Sequence, residues 1–416
     1  MSPRCSWATD SSFYDFLTFS YFSAYIGRTF FPSDDPMTSL LASLATFGVG
    51  FLTRPLGAIV IGPMADRIGR KPTMIFTFVL MGFAITGLSL TPSYASIGVA
   101  APVLVIMFRL VQGFALGGEV GPSTAYMVEL VPPERRGFFL GMQYATQDGA
   151  TLLAGLVGVV LASLLNDAQL QAWGWRVALL IGASIVPFGL WLRRTLPETL
   201  SNAGNTKSEA VVASRVLYRG YGVVIVLGLL MFAAGTVGSY TINYMTTYAL
   251  TTLKFSAAIA FGVTIINGAF SILSEVTSGF LCDRFGRKLV MLIPAALLVL
   301  SILPGFWLIA QYHNLWVLYG TEIVMVTFAG IAQVPVIAGV TESLPASIRS
   351  GAVATVYAVA ISLFGGTTQF VVTALIKWTH DPLAPAYYWS AAAVVGVIAM
   401  ALFKESAPVK LAPGKS

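Results

Sequence analysis

The chain predicts an all-α membrane protein of twelve transmembrane helices arranged as two six-helix halves, and three observations carry that prediction. First, apolar residues make up 56% of the 416 positions and charged residues only 10%, whereas soluble domains carry roughly 25% charged residues. Second, the apolar residues fall in continuous runs of about 20 between short polar breaks, the length a helix needs to cross a bilayer with its backbone satisfied internally. A β-barrel would instead show apolar–polar alternation over short segments. Third, Gly62-Pro63-Met64-Ala65-Asp66-Arg67-Ile68-Gly69-Arg70-Lys71 recurs as Gly279-Phe280-Leu281-Cys282-Asp283-Arg284-Phe285-Gly286-Arg287-Lys288, 217 residues later (66 to 283). That offset is close to half the chain.

Taken in order, the apolar runs place helices at 13–31, 38–61, 72–91, 98–129, 138–164, 176–195, 219–250, 256–281, 289–310, 315–342, 351–377 and 384–403. The longest polar stretch follows the sixth, so we divide the chain into an N-terminal half (1–196), a linker (197–218) and a C-terminal half (219–416). A second echo supports the halves: Glu129-Leu130-Val131-Pro132 with Arg136 matches Glu342-Ser343-Leu344-Pro345 with Arg349, each after the fourth helix of its half. Two repeats in parallel orientation suit alternating access, with cargo held between the halves near the bilayer midplane.

Charge gives the orientation. With both termini inside, eighteen of the 24 Lys and Arg residues fall on the cytoplasmic side and four on the other, with Arg54 and Arg109 inside helices. This is a strong positive-inside bias. It also explains the net charge of +6 without a nucleic-acid partner. The linker between halves is expected to be cytoplasmic, and the first ten residues are polar, with no cleavable leader expected. Two cysteines, Cys5 and Cys282, make neither a disulfide scaffold nor a metal site.

Seven ionisable residues fall inside predicted helices: Asp15, Arg54, Arg109, Glu119, Asp148, Glu275 and Glu322. Each costs about 2.5 to 3.5 kcal/mol at the centre of a bilayer, so all are expected to face the bundle interior and to be functional candidates. Arg54 and Arg109 are the only cations at that depth. A guanidinium binds a carboxylate through a planar fork and stays charged at physiological pH. The two arginines are therefore expected either to hold an anionic cargo or to neutralise buried acids such as Asp15 and Glu119. Gln112, Gln143, Gln147, Tyr240 and Tyr244 could complete a binding pocket, although such groups also join membrane helices to one another. Proton coupling needs a buried carboxyl that loads and releases a proton, and Asp15, Glu119, Asp148 and Glu275 are the candidates. The aromatic residues of the first helix, Phe13 to Tyr25, cover all its faces and are expected mostly in packing or lipid contact.

The repeated Gly62–Lys71 loop and Arg109-Leu110-Val111-Gln112-Gly113 resemble the major facilitator superfamily across essentially the whole chain. Tyr14-Asp15-Phe16, Phe30-Phe31-Pro32, Gly50-Phe51-Leu52-Thr53-Arg54-Pro55-Leu56-Gly57, Gln112–Glu119 and Trp173-Gly174-Trp175-Arg176 are similar to its metabolite:proton symporter subfamily. Thr341-Glu342-Ser343-Leu344-Pro345 and Leu363-Phe364-Gly365-Gly366-Thr367-Thr368 resemble the citrate-proton symporters in particular. Two departures stand out: Tyr244-Met245-Thr246-Thr247-Tyr248 replaces a Tyr-x-Pro-Thr-Tyr pattern, and Glu275 stands where citrate carriers have an apolar residue.

The resemblance implies a secondary transporter in a bacterial inner membrane that takes up a citrate-like di- or tricarboxylate with protons, as a monomer, without cofactor, metal or enzymatic activity. It also implies that Asp15 and Glu119 match motif positions for proton coupling. Gly62, Asp66, Arg67 and Arg70, with Asp283, Arg284 and Arg287 in the copy, are expected to gate the cytoplasmic side, Asp66 by accepting hydrogen bonds from a helix N-terminus or by meeting an arginine. Alternatives are a carrier of a zwitterionic osmolyte, an aromatic acid or an exported compound, or a non-transporting sensor. No nucleotide-binding pattern is present, so transport driven by ATP is not expected.

Overall fold

The computed structural model describes residues 14, 16–68, 70–117, 131–194, 220–407 and 410, and the regular structure among them is helical. Eight helices are long and apolar enough to cross a membrane: Pro36–Ile61, Arg136–Leu164, Gly222–Thr251, Ala257–Phe285, Arg287–Tyr312, Leu315–Glu342, Thr355–Thr379 and Ala384–Leu402. Shorter apolar helices at Ile75–Leu90 and Ala100–Leu116, a helix ending at Ser23–Phe30 and one at Trp175–Arg194 occupy the remaining expected positions. We number these first to twelfth span in chain order. Part of the fourth span and the proposed linker lie outside the described residues.

Side chains sort as a bilayer requires. Large apolar residues such as Ile59, Phe83, Leu300, Trp316 and Trp378 are more than 60% exposed, a pattern that a soluble protein avoids but lipid satisfies. The first span does not face lipid: Phe16, Phe19, Phe22 and Tyr25 are all buried in one core with Phe47, Phe51 and Phe261. Of the packing or lipid contact expected for that cluster, packing is what these residues make. Neighbouring spans leave no room for an outward face.

Close approach between the halves depends on small residues. Along the fifth and eighth spans, a Cβ on Gly141 would collide with the Glu275 carbonyl, and one on Gly279 with the backbone of Gly137 and Phe138. The second and eleventh spans meet in the same way, Gly48 against the Gly366 carbonyl. Gly286 ends the eighth span at φ +95, a conformation that side chains rarely adopt, and turns the chain directly into the ninth span.

Candidate functional site

The first cluster is built around two cations. Arg54 follows Thr53, which interrupts the second span; the Thr53 hydroxyl donates to the Leu110 carbonyl (2.8 Å) and ties this span to the fourth. Arg109 lies on the fourth span and is fully buried. The Arg54 guanidinium carbon lies 4.6 Å from the Phe16 ring centre and 4.3 Å from that of Phe51. Arg109 lies 4.4 Å from Phe16 and 4.2 Å from Phe19. Both sit within 4.6 Å of one ring centre, so the two guanidinium carbons are at most twice that distance apart.

Stacking on aromatic faces partly offsets desolvation of a cation, but it leaves the N–H groups unused. Arg109 Nη1 donates to Gln112 Oε1 (2.7 Å), while its Nε and Nη2, and Nε of Arg54, have no hydrogen-bond acceptor. Neither arginine has a carboxylate partner among the described residues. Tyr240 joins this cluster from the C-terminal half, 5.5 Å from Phe51. Opposite it, the eleventh span widens into a π-helical turn at Ile361–Gly365, where Gly365 packs on the Phe51 and Tyr240 rings. Such turns recur at functional positions in helices.

A second cluster lines a cavity of about 100 Å³ in the C-terminal half, which Asp148 reaches from the N-terminal half. Its polar walls are Asp148 of the fifth span and Asn243, Asn267, Ser271, Glu275 and Gln333 of the C-terminal half. Asn267 Nδ2 donates to Asn243 Oδ1 (2.9 Å), Tyr21 Oη donates to the same oxygen (2.7 Å), and Ser271 Oγ donates to Asn267 Oδ1 (3.2 Å). Asp148 and Glu275, one from each half, both line this cavity.

A third cluster closes one end of the seam. Asp283 accepts the backbone N–H groups of Gly137 and Phe138 (2.9 Å each), capping the N-terminus of the fifth span with a negative charge. Arg287 meets Asp283 (2.8 Å) and Glu342 (3.0 Å), and Arg136 lies 3.9 Å from Glu342. The geometry anticipated for Asp66 therefore occurs at its copy. Arg284 instead points outward against Phe285. At the opposite end, Lys377 Nζ reaches Asp35 (2.8 Å) and donates to Thr38 Oγ1 (2.6 Å).

Sequence reasoning thus selected residues that separate into distinct groups. Arg54, Arg109, Gln112 and Tyr240 come together, and Asp148 meets Glu275. Gln143 and Gln147 lie on the fifth span but do not line the cavity. Tyr244 is fully buried in the apolar core of the C-terminal half beside Tyr248, also away from the cavity lining. Asp15 and Glu119 lie outside the described residues, as do the side chains of Gly62, Asp66, Arg67 and Arg70. The aromatic walls, Phe16, Phe19, Phe47 and Phe51, escaped the sequence reading. Their only signal was an unusual density of rings on two spans that also carry or approach an arginine.

Two sets of helices packed along seams, with buried charge between them and ion pairs at both ends, have the build of a membrane carrier. The chain belongs to the Major Facilitator Superfamily, whose family model matches residues 12–365. It is 33% identical over 396 residues to a citrate-proton symporter of Klebsiella pneumoniae, covering 95% of this chain and 89% of that protein. It is 34% identical over 379 residues to an alpha-ketoglutarate permease of Escherichia coli (strain K12), covering 90% and 86%. A crystal structure of a D-xylose-proton symporter matches at a TM-score of 0.81 over 97% of each chain; at 19% identity the likeness is one of fold alone.

Proposed function

We propose that the protein is a secondary active transporter that takes up a small organic anion, a citrate-like di- or tricarboxylate, together with protons by alternating access. One observation carries this reading: two arginines, Arg109 fully buried and Arg54 partly so, stack on one aromatic cluster with unused N–H groups and no carboxylate partner among the described residues. Desolvated guanidinium donors without acceptors are costly, and a carboxylate of the cargo supplies both the missing charge and the missing acceptors. Two such cations around one ring suit a cargo with more than one carboxylate. Relatives named for citrate and alpha-ketoglutarate transport support the same class.

In this reading Arg54, Arg109 and Gln112 hold the anion, with Tyr240 bringing the C-terminal half to it. Gln143, Gln147 and Tyr244 are further binding candidates. The proton is carried by one or more of Asp15, Glu119, Asp148 and Glu275, with the proton gradient as the energy source and no cofactor. The end closed by Asp283, Arg287 and Glu342 faces the cytoplasm, with both termini on that side of a bacterial inner membrane, and Gly62, Asp66, Arg67, Arg70 and Arg284 act in the same gate. The protein works as a monomer of two halves joined by the 197–218 linker.

The test is uptake of radiolabelled citrate into proteoliposomes. Uptake should rise with an inward proton gradient and be competed by unlabelled di- and tricarboxylates. Uptake that ignores the gradient would contradict the coupling, and a preference for betaine or an aromatic acid would contradict the cargo class.

A further inference from the structure

The seam between the fifth and eighth spans carries a chemical oddity. Asp148 belongs to the N-terminal half and Glu275 to the C-terminal half, yet both line one cavity. Glu275 is 95% buried, and its Oε2 has no hydrogen-bond partner. Asp148 accepts from Thr151 Oγ1 at 3.4 Å.

Among the described residues, nothing cationic lines this cavity. Titratable groups near the two carboxyls include Tyr144 of the fifth span and Tyr21 of the first, and Tyr21 is also near Glu322 of the tenth; the seventh, tenth and twelfth spans line the cavity itself with the neutral side chains of Asn243, Gln333 and Trp389. The amide donors are largely turned on one another, Asn267 to Asn243, and Tyr21 also gives its proton to Asn243. Two carboxylates side by side in such surroundings repel strongly, and only a shared proton joins them by a hydrogen bond. The cavity of about 100 Å³ also exceeds the space that one water needs, so ordered water can stand beside the two carboxyls.

From this geometry we propose that Asp148 and Glu275 together form the proton-binding site of the transporter, and that the proton held between them keeps the fifth and eighth spans joined. Loading closes the seam. Release leaves two facing carboxylates whose repulsion drives the halves apart where Gly141 and Gly279 otherwise allow backbone contact. The proposal rests on the proton-coupled reading above and selects, among its four candidate acids, the pair that bridges the halves. It also gives a physical reason for an acid at position 275: the carboxyl completes a switch across the seam, a task no apolar residue can perform.

The experiment compares the infrared spectra of purified wild-type protein, Glu275→Gln and Asp148→Asn at neutral pH, together with citrate uptake into proteoliposomes under an inward proton gradient. The wild-type-minus-variant difference spectrum should carry a protonated-carboxyl stretch for each variant, while the signal of buried acids elsewhere, Glu322 among them, cancels. Uptake should fall about tenfold or more in each variant, and the remaining flux should no longer vary with pH. If Glu275→Gln does not purify as a folded species, Asp148→Asn gives the same readout from the other half. A difference spectrum with no carboxyl band for either variant, or variant uptake with the wild-type pH profile, would overturn the proposal. So would restoration of wild-type uptake by a sodium gradient in place of protons. A band lost in both variants, in a protein that moves no organic acid, would sustain the proton site and instead refute the functional reading.

Discussion

At the scale of single residues, the account depends on what Arg109 is for. Its side chain is enclosed by Phe16, Phe19 and Phe47, and Gln112 satisfies only one of its nitrogens. We predict that Arg109→Ala abolishes citrate uptake, with a loss of about a hundredfold or more, because a buried charge-assisted hydrogen bond to the cargo is removed outright. Arg109→Lys should also fail, at about tenfold or worse, since an ammonium cannot reproduce the planar fork or its stacking on Phe16 and Phe19. Uptake assays at saturating and limiting citrate measure both, and wild-type transport by Arg109→Ala would remove this residue from the site. The arginines were legible in the sequence because a cation at membrane depth is rare and demands a reason. The rings around them were not, because helical spacing says which faces of a span carry aromatics but not which neighbouring helix covers those faces. Glu322 makes a related point. It is fully buried with neither carboxyl oxygen hydrogen-bonded, so Glu322→Gln should leave the melting temperature unchanged or raise it by a few degrees, as measured by thermal shift.

At the scale of elements, function depends on how helix ends are joined. The charged decapeptide was legible as a repeated unit, and its copy at Gly279–Lys288 shows what the spacing serves: Asp283 caps the fifth span while Arg287, one helical turn on, holds both Asp283 and Glu342. Asp283→Asn removes the negative charge at a helix N-terminus, worth about 1 kcal/mol or more. We therefore expect slower turnover with near-unchanged citrate binding, checked by comparing uptake rate with equilibrium binding. Glu405, just beyond the twelfth span, caps the start of the ninth by accepting the backbone N–H groups of Arg287 and Lys288. Burial alone would raise its carboxyl, but backbone N–H donors from Ala407, Arg287, Lys288 and Ser406 outweigh burial and hold it below the usual carboxylate range. At the opposite end, Lys377, the Thr38 hydroxyl and the Met37 N–H hold Asp35 well below that range. A depressed carboxyl stabilises above its ordinary value of roughly 4 and ceases to do so as the pH falls through its folded value. The Asp35–Lys377 closure should therefore be intact at neutral pH and weaken only in strong acid, whereas Asp35→Asn should weaken it at every pH. Labelling of a single cysteine introduced beside Thr38 reports both, and equal labelling of wild type and variant at neutral pH would show that the contact closes nothing.

At the scale of the whole molecule, twelve spans were legible because a bilayer demands a fixed apolar length from each, and even the third and fourth, which are shorter in apolar content, keep their place in the order. What could not be read was the pairing of spans across the halves. That the fifth meets the eighth and the second meets the eleventh follows from three-dimensional closure of two bundles, and it is signalled only indirectly by Gly137, Gly141, Gly279, Gly48 and Gly366. Those pairings bring Asp148 to Glu275 and Tyr240 to the arginine chamber, and so decide which predicted residues can act together. The central claim is that anion binding at one cluster is tied to proton movement through the same protein. The most direct measurement is the pH inside proteoliposomes carrying an internal pH-sensitive dye when citrate is added outside with no gradient imposed. The account predicts acidification of the lumen that requires citrate and the transporter and is abolished by Arg109→Ala. Citrate entry without any accompanying acidification would contradict it.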